Sequence, residues 1–118
     1  MKEAAFWREK LAPYTKKSLP IALFQVGNLL FLMAALYWSY SIYIKQSTWY
    51  LILYVIALSF LMLRVFVLMH DCGHGSLFRN KKLNQFFGWM MGVFCGMPQY
   101  VWSKHHAFHH KTNGDWES

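Results

Sequence analysis

All six histidines of this 118-residue sequence fall in two short stretches, and the first 69 residues contain none. The stretch HDCGH, here called the first box, contains His70 and His74. Residues four apart lie on one face of a helix, so these two imidazoles can bind one metal ion. The stretch HAFHH, the second box, contains His106, His109 and His110 at spacings that again favour one helical face. Together the boxes predict a metal site.

The number and type of these ligands constrain the metal chemistry. Imidazole binds zinc, copper, iron and nickel, so the ligand type alone does not select the metal. Five clustered imidazoles exceed the three protein ligands of a usual catalytic zinc, which favours a site with two metal ions. A site of neutral nitrogen ligands with few carboxylates favours iron and oxygen chemistry.

Two other functions fit parts of this pattern. HDCGH has the outline of the zinc-peptidase helix H-E-x-x-H, but Asp71 is one methylene shorter than the glutamate base, and the second box is left without a role. A histidine-rich membrane protein that binds or transports metal without enzymatic activity is the other alternative. Transport would call for metal-binding groups inside the apolar segments, which offer little beyond Gln25 and Asn28.

Two long apolar runs precede the first box, at about residues 19–44 and 48–69. Each is long enough to cross a bilayer as a helix. The sequence is 56% hydrophobic and 14% charged, which is too apolar for a soluble domain of this size. We therefore predict an all-α integral membrane protein with a transmembrane hairpin. Cys72 and Cys95 have no metal or disulfide spacing and are predicted to be reduced, mostly buried thiols.

The basic residues predict the orientation of this hairpin. Five lie before the first run, five follow the second, and one lies in the short loop between them. The excess of positive charge favours the cytoplasmic side, so a multi-pass protein with its N-terminus and both boxes in the cytoplasm is expected. The net charge of +7 flanks apolar runs and forms no single patch, which indicates membrane lipid and not nucleic acid as a partner.

The sequence is therefore divided as one domain, 1–118, in three parts. Residues 1–18 form a cytoplasmic lead-in, 19–69 the hairpin, and 70–118 a cytoplasmic-side region that carries both boxes.

A third apolar stretch, within residues 83–102, is predicted to be an interfacial or re-entrant helical segment that leads to a histidine-rich helix. A full crossing would put the two boxes on opposite sides of the membrane. A break is expected near Pro98, since proline ends a helix. Gly88, Gly92 and Gly96 recur every four residues and give one smooth helix face, which favours close packing.

Polar side chains inside the apolar runs have their own predicted partners. Gln25 and Asn28 are expected to hydrogen-bond to a neighbouring helix. Arg64 lies about two turns before the end of the second run. It is expected either to extend to the interface, or to pair with Asp71 or with a partner helix.

The two boxes in their context resemble a known family. HDCGHGSLF, followed about thirty residues later by WSKHHAFHHKTNGDWE, resembles the membrane fatty acid desaturases, most closely the acyl-lipid delta-12 and omega-3 type. The resemblance implies two non-haem irons on the cytoplasmic side, with O₂ as co-substrate and a double bond introduced into an acyl chain. The iron ligands that it implies are His70, His74, His106, His109 and His110.

Further roles follow from the same resemblance. The substrate would be an acyl-lipid or an acyl carrier, and the electrons would come from a donor such as ferredoxin, cytochrome b5 or rubredoxin. Asp71 and His105 are candidates to orient the ligand imidazoles. The candidates for lining an acyl-chain tunnel are Phe86, Phe87, Trp89, Phe94, Tyr100 and Trp102.

The sequence departs from the family pattern in one respect. The family has a third box, H-x-x-H-H or Q-x-x-H-H, far downstream, and this sequence contains no third box. Five ligands do not fill two six-coordinate irons, so we expect the N-terminal part of a longer enzyme, inactive alone. A related membrane di-iron hydroxylase, ketolase or acetylenase, and a non-enzymatic metal-binding protein, remain alternatives.

Overall fold

The computed structural model describes residues 2–43 and 47–113, and all regular structure in those ranges is helical. The helices are α1 (Lys2–Leu11), followed by a 3₁₀ turn (Ala12–Thr15), α2 (Leu19–Tyr43), α3 (Thr48–Gly73), α4 (Lys81–Phe94) and α5 (Gln99–Thr112). The all-α prediction is confirmed. The predicted end of the first span at residue 44 and the loop residue Lys45 lie outside the described ranges.

The helices α2 and α3 are long and apolar enough to cross a membrane, as predicted. They have 25 and 26 residues, or roughly 38 Å each at 1.5 Å per residue. Ser47 caps the start of α3, since its hydroxyl accepts a hydrogen bond from the Trp49 N–H at 3.2 Å. The helix α3 extends four residues beyond the predicted span end, because HDCG continues the helix until Gly75 adopts a φ of 65°.

A polar contact and an apolar seam join these two helices. Arg64 donates a hydrogen bond from Nη1 to Asn28 Oδ1 at 2.8 Å. The prediction that Asn28 bonds to a neighbouring helix is confirmed. Of the alternatives expected for Arg64, the structure shows the pairing with a partner helix, α2. Leu29 and Val65, both fully buried, belong to the core formed near this contact.

The buried side-chain amide of Asn84 holds the turn after α3 in place. Asn84 accepts a hydrogen bond from the Phe78 N–H at 3.0 Å and donates one to the Phe78 carbonyl at 2.7 Å. These bonds place the Phe78 ring, which is 1% exposed, in the core with Met69 and Met91. The helix α4 is thereby fixed against the end of α3 that carries the first box.

The predicted third segment is two helices with a break between them. Gly96 has a φ of 64° after the end of α4, and Pro98 is the N-cap of α5, so the predicted break near Pro98 is confirmed. Both helices have 14 residues, or roughly 21 Å, which is shorter than the ~30 Å hydrocarbon core of a bilayer. Neither helix alone is long enough to cross. An interfacial or re-entrant position for this segment stays a prediction.

Candidate metal centre

The first box occupies the last turn of α3 and its C-cap. His70 and His74 are four residues apart, and the centres of their rings lie 4.5 Å apart. The last turns of α3 are held by the buried side chains of Leu68, Met69 and Cys72. The backbone that carries this box is therefore fixed by the core of the molecule.

The second box lies on α5 and reaches the first box through His106. The Nε2 atoms of His106 and His74 are 3.1 Å apart, and the Nε2 atoms of His110 and His106 are 3.0 Å apart. One ring nitrogen from each of His70, His74 and His106 lies within 4.8 Å of the other two. Two helices thus bring four imidazoles from both boxes into one cluster, as the two-box prediction requires.

These distances suit ligands of a metal ion. Imidazole nitrogens bind a transition metal at about 2.0–2.1 Å, so two of them on adjacent coordination positions lie about 2.8–3.4 Å apart. The two short nitrogen–nitrogen distances, 3.1 and 3.0 Å, fall in that range. The donor set is all imidazole, which binds iron, zinc, copper and nickel. The residues therefore fit a transition metal, and an alkaline-earth ion would require oxygen ligands.

His109 and His105 lie at the edge of the cluster. The ring centre of His109 is 6.4 Å from that of His106 and 6.1 Å from that of His110, and the residue is exposed. His105 is also exposed, and it lies about 100° around the helix from His106. Their predicted roles, as an iron ligand and as a group that orients a ligand, stay predictions.

Asp71 lies beside the first box. Its Oδ1 atom is 3.4 Å from His70 Nδ1, so this carboxylate can accept the ring N–H and leave Nε2 for a metal. The contact is long for a hydrogen bond. This position suits the predicted orienting role of Asp71.

The crowding of the rings favours the neutral, metal-binding form of two histidines. Partial burial, followed by the charges of His70 and His110, lowers the pKa of His74 below its ordinary value. Desolvation by the surrounding rings, followed by repulsion from four neighbouring histidines, lowers the pKa of His106. Neutral imidazoles can bind a metal ion without first losing a proton.

Trp102 belongs to the cluster, although the sequence predicted for it only a place in a tunnel. Its ring stacks on His106, with centres 4.4 Å apart and planes 17° from parallel, and lies 5.4 Å from His70. The Phe66 ring packs on Trp102 in a T-shaped arrangement, with ring centres 5.6 Å apart. Trp102 precedes His106 by four residues, so helical spacing alone could have placed it on the ligand face.

The other tunnel candidates are distributed over α4 and the start of α5. Phe87 is half-buried and stacks on Phe78, with ring centres 4.9 Å apart. The four remaining candidates are exposed to different degrees, at 45–67%: Phe86, Trp89, Phe94 and Tyr100. The structure does not bring these four to the histidine cluster, and the acyl-chain tunnel stays a prediction.

Three glycines allow the two boxes to approach each other, and two of them, Gly88 and Gly92, belong to the predicted glycine face. A Cβ atom on Gly73, inside the first box, would lie 2.7 Å from Ser103 Oγ on α5. A Cβ on Gly88 would lie 3.1 Å from Gln99 Cδ, and one on Gly92 would lie 2.6 Å from the Met97 carbonyl oxygen. At Gly92 the added Cβ would meet backbone, and at Gly73 and Gly88 the neighbouring side chains would have to move, so the close approach of α5 to α3 and α4 favours glycine at these positions.

The predicted glycine face is thus confirmed at two of its three members. Gly88 and Gly92 make the close helix contacts, whereas Gly96 lies beyond the end of α4 with a positive φ. Gln99, whose Nε2 donates to Ser103 Oγ at 3.0 Å, is the polar side chain at the centre of this contact. Gly73, Gln99 and Ser103 were not predicted from the sequence. Gly73 lies three residues after His70, Ser103 lies three before His106, and Gln99 lies four before Ser103, so helical spacing connects each of them to the boxes.

The fold and the site define a helical protein with two helices long and apolar enough to cross a membrane and, at the end of one of them, a histidine cluster that could hold a metal ion. Comparison with known proteins is consistent with that class. The fatty acid desaturase family matches residues 47–118. No solved structure gives a significant match to the chain.

Curated relatives agree with this family. A fatty acid desaturase of Bacillus subtilis is 40% identical over 65 residues, which cover 55% of this chain and 18% of the relative. A chloroplastic sn-2 acyl-lipid omega-3 desaturase (ferredoxin) of Helianthus annuus is 41% identical over 54 residues, 46% of this chain and 12% of the relative. A delta(12) fatty acid desaturase of Mortierella isabellina is 38% identical over 50 residues, with 42% and 12% covered.

The chain belongs to the fatty acid desaturase family. It spans less than a fifth of the length of these curated relatives. The two apolar helices and the family together indicate a membrane protein.

Proposed function

We propose that this chain provides the first two histidine boxes of a fatty acid desaturase that introduces a double bond into an acyl chain. The observation that carries the proposal is the meeting of the two boxes: ring nitrogens of His70, His74 and His106 lie within 4.8 Å of one another. These residues fall inside the part of the chain that matches the family.

The metal of the proposed site is iron, in two ions. The residues that would hold it are His70, His74, His106, His109 and His110. Bound there, iron would supply the redox chemistry for reducing O₂ and breaking unactivated C–H bonds. Overall, one hydrogen leaves each of two adjacent methylenes, and these two hydrogens, two electrons and two protons reduce one O₂ to two waters.

The residues around the histidines would orient and shield the site. Asp71 would hold the His70 ring by accepting its Nδ1 proton. Trp102 would orient the His106 ring by stacking on it, with Phe66 packed against Trp102, and the two aromatic rings would exclude water from one side of the cluster. Exclusion of water limits side reactions of a strongly oxidising site.

Five imidazoles supply only part of the ligands of two six-coordinate ions. We therefore propose that further ligands come from other residues of the complete enzyme or from a second chain. On this proposal the isolated 118 residues do not turn over.

The substrate and electron donor are proposed from the same family. An acyl-lipid is favoured as substrate, because a relative's name specifies an sn-2 acyl-lipid. A small electron-transfer protein such as ferredoxin, cytochrome b5 or rubredoxin would deliver the two electrons. The proposed orientation, with the N-terminus and both boxes in the cytoplasm, would give that donor access to the site, and it is favoured by the basic residues that flank the spans.

The experiment is a lipid analysis with one ligand and one exposed residue exchanged in the native gene. His106→Ala is expected to remove one class of unsaturated acyl chain from the membrane lipids, because His106 joins the two boxes. Phe108→Ala is the control, since it removes an exposed ring from the same helix two positions away, and it is expected to retain most of the product.

Two outcomes would contradict the proposal. Acyl chains unchanged in the His106→Ala strain would exclude desaturation by this site. Loss of hydroxylated or keto products, with double bonds unchanged, would indicate a related di-iron oxygenase.

A further inference from the structure

A basic groove lies where α2 begins, between the segment before α2 and the turn that leads into α4. Its volume is about 610 Å³, and its cationic residues are Lys16, Lys17 and Arg79. Leu19 and Leu83 provide apolar walls in the same groove. Cations beside apolar walls suit a ligand with an anionic head and a hydrocarbon part.

Two hydrogen bonds hold the groove together across more than fifty residues of sequence. Lys17 donates from Nζ to the Gly75 carbonyl at 2.6 Å, and Arg79 donates from Nε to the Lys17 carbonyl at 2.9 Å. These bonds fix the segment before α2 against the turn after α3. Two of the three cations are therefore positioned before any ligand binds, which lowers the entropic cost of binding.

No carboxylate offsets this positive charge within the described ranges. The residues that line the groove include no Asp or Glu, and the described side chains show no ion pair of Lys16, Lys17 or Arg79. Lys16 is exposed and lines the groove. The charge is thus available to an anion.

The depth of the groove favours a lipid. The apolar span α2 starts at Leu19, which itself lines the groove, so the three cations lie at the level where a hydrocarbon core gives way to phosphates. Basic pockets at this level between membrane helices bind anionic lipid head groups. We propose that this groove is a binding site for the phosphate of an anionic glycerophospholipid, with Lys16 and Arg79 on the phosphate and Leu19 and Leu83 against the lipid's apolar part.

The test uses the full chain in detergent micelles and counts bound lipids by native mass spectrometry. Phosphatidylglycerol is expected to bind about tenfold more tightly than phosphatidylcholine, whose choline cancels the phosphate charge. Lys16→Gln with Arg79→Gln is expected to weaken phosphatidylglycerol binding about thirtyfold, at about fivefold per cation. Lys104→Gln with Lys111→Gln removes the same charge from α5, outside the groove, and is expected to change binding less than threefold.

Two further arms keep the result decisive. Lys16→Gln alone breaks no hydrogen bond of the fold and is expected to weaken binding severalfold, so a misfolded double variant does not obscure the answer. Inorganic phosphate is expected to compete only weakly. If inorganic phosphate competes as well as phosphatidylglycerol itself, the groove binds a free anion and the lipid proposal is overturned. The proposal is also overturned if the groove variants and the α5 variants lose the same affinity for phosphatidylglycerol.

Discussion

The two histidine boxes are held in very different ways. The first ends a 26-residue helix whose last two turns bury Leu68, Met69 and Cys72 in the core. The second lies on a 14-residue helix that has no fully buried residue. The first box is therefore part of the packed hairpin, whereas the second is docked on it through Gln99, Trp102 and Ser103.

This difference separates stability from site geometry. Changes in the core beneath the first box should affect unfolding, because they remove buried apolar contacts. Changes at the contact of α5 should affect the distance between the boxes and leave the hairpin folded. Four predictions test whether hairpin stability and the distance between the boxes can be changed independently, from the largest expected effect to the smallest.

The largest effect is expected beneath the first box. Met69→Ala should lower the free energy of unfolding by about 2–5 kcal/mol, because Met69 is 0% exposed and the substitution leaves a cavity. Phe108→Ala on α5 is the control, and it should cost less than about 0.5 kcal/mol because Phe108 is 65% exposed. Detergent unfolding followed by circular dichroism measures both. Equal losses would show that α5 is packed as firmly as the hairpin.

The next effect is expected at the closest approach of the boxes. Gly73→Ala should weaken Co²⁺ binding about tenfold to hundredfold, because its Cβ would meet Ser103 Oγ at 2.7 Å and push the second box away. The helix content should be unchanged, since alanine favours a helix. Co²⁺ titration followed by visible absorption measures the affinity.

A double variant distinguishes this spacing effect from general damage. Gly73→Ala with Ser103→Ala removes the clashing oxygen and should recover most of the affinity. Gly27→Ala is the matched control, because no atom lies within 4 Å of its added Cβ. No recovery in the double variant would refute the spacing role of Gly73.

A smaller effect is expected from the stacked indole. Trp102→Leu should weaken Co²⁺ binding by about tenfold and shift its absorption bands, because the His106 ring loses the surface that orients it. Trp102→Phe should retain most of the affinity, and Trp89→Leu, at a 64% exposed position of α4, should leave the spectrum unchanged. A spectrum altered equally by Trp89→Leu would argue against a specific role for Trp102.

The smallest effect is expected from pH. The pKa values of His74 and His106 are lowered in the folded protein. Their contribution to the free energy of unfolding is therefore complete above the unfolded pKa of about 6.5, and it is lost as pH falls through the folded pKa values. Co²⁺ affinity should therefore hold close to pH 6.5 and fall below it, as protons compete for the nitrogens. Titrations from about pH 8 to 5 measure this. An affinity that already falls from pH 8 to 7 would contradict the lowered values.

The sequence predicted the elements that depend on composition and periodicity. Two uninterrupted apolar runs gave the spans, and the i, i+4 spacing placed His70 with His74 and His106 with His110 on common faces. Pro98 located the break before the second box. Each of these follows from local geometry, which acts over a few residues.

The tertiary contacts were beyond that reach. Nothing local indicates that Gly73 meets Ser103, since the contact depends on how α4 returns the chain to α3. Asn84, four residues into α4, directs that return by binding the Phe78 backbone. Trp102 is a different case, because its i, i+4 spacing to His106 is local and would have placed it with the histidine cluster.

The hydrogen bond between Arg64 and Asn28 has a consequence for movement along the membrane normal. A slip of α3 past α2 by one residue would shift their side chains by about 1.5 Å and break this bond, which apolar surroundings could not replace. His70 lies six residues beyond Arg64 on the same rigid helix, or about 9 Å. The bond therefore fixes the register of α3 against α2, and sliding of the two helices past each other cannot shift the first box relative to α2.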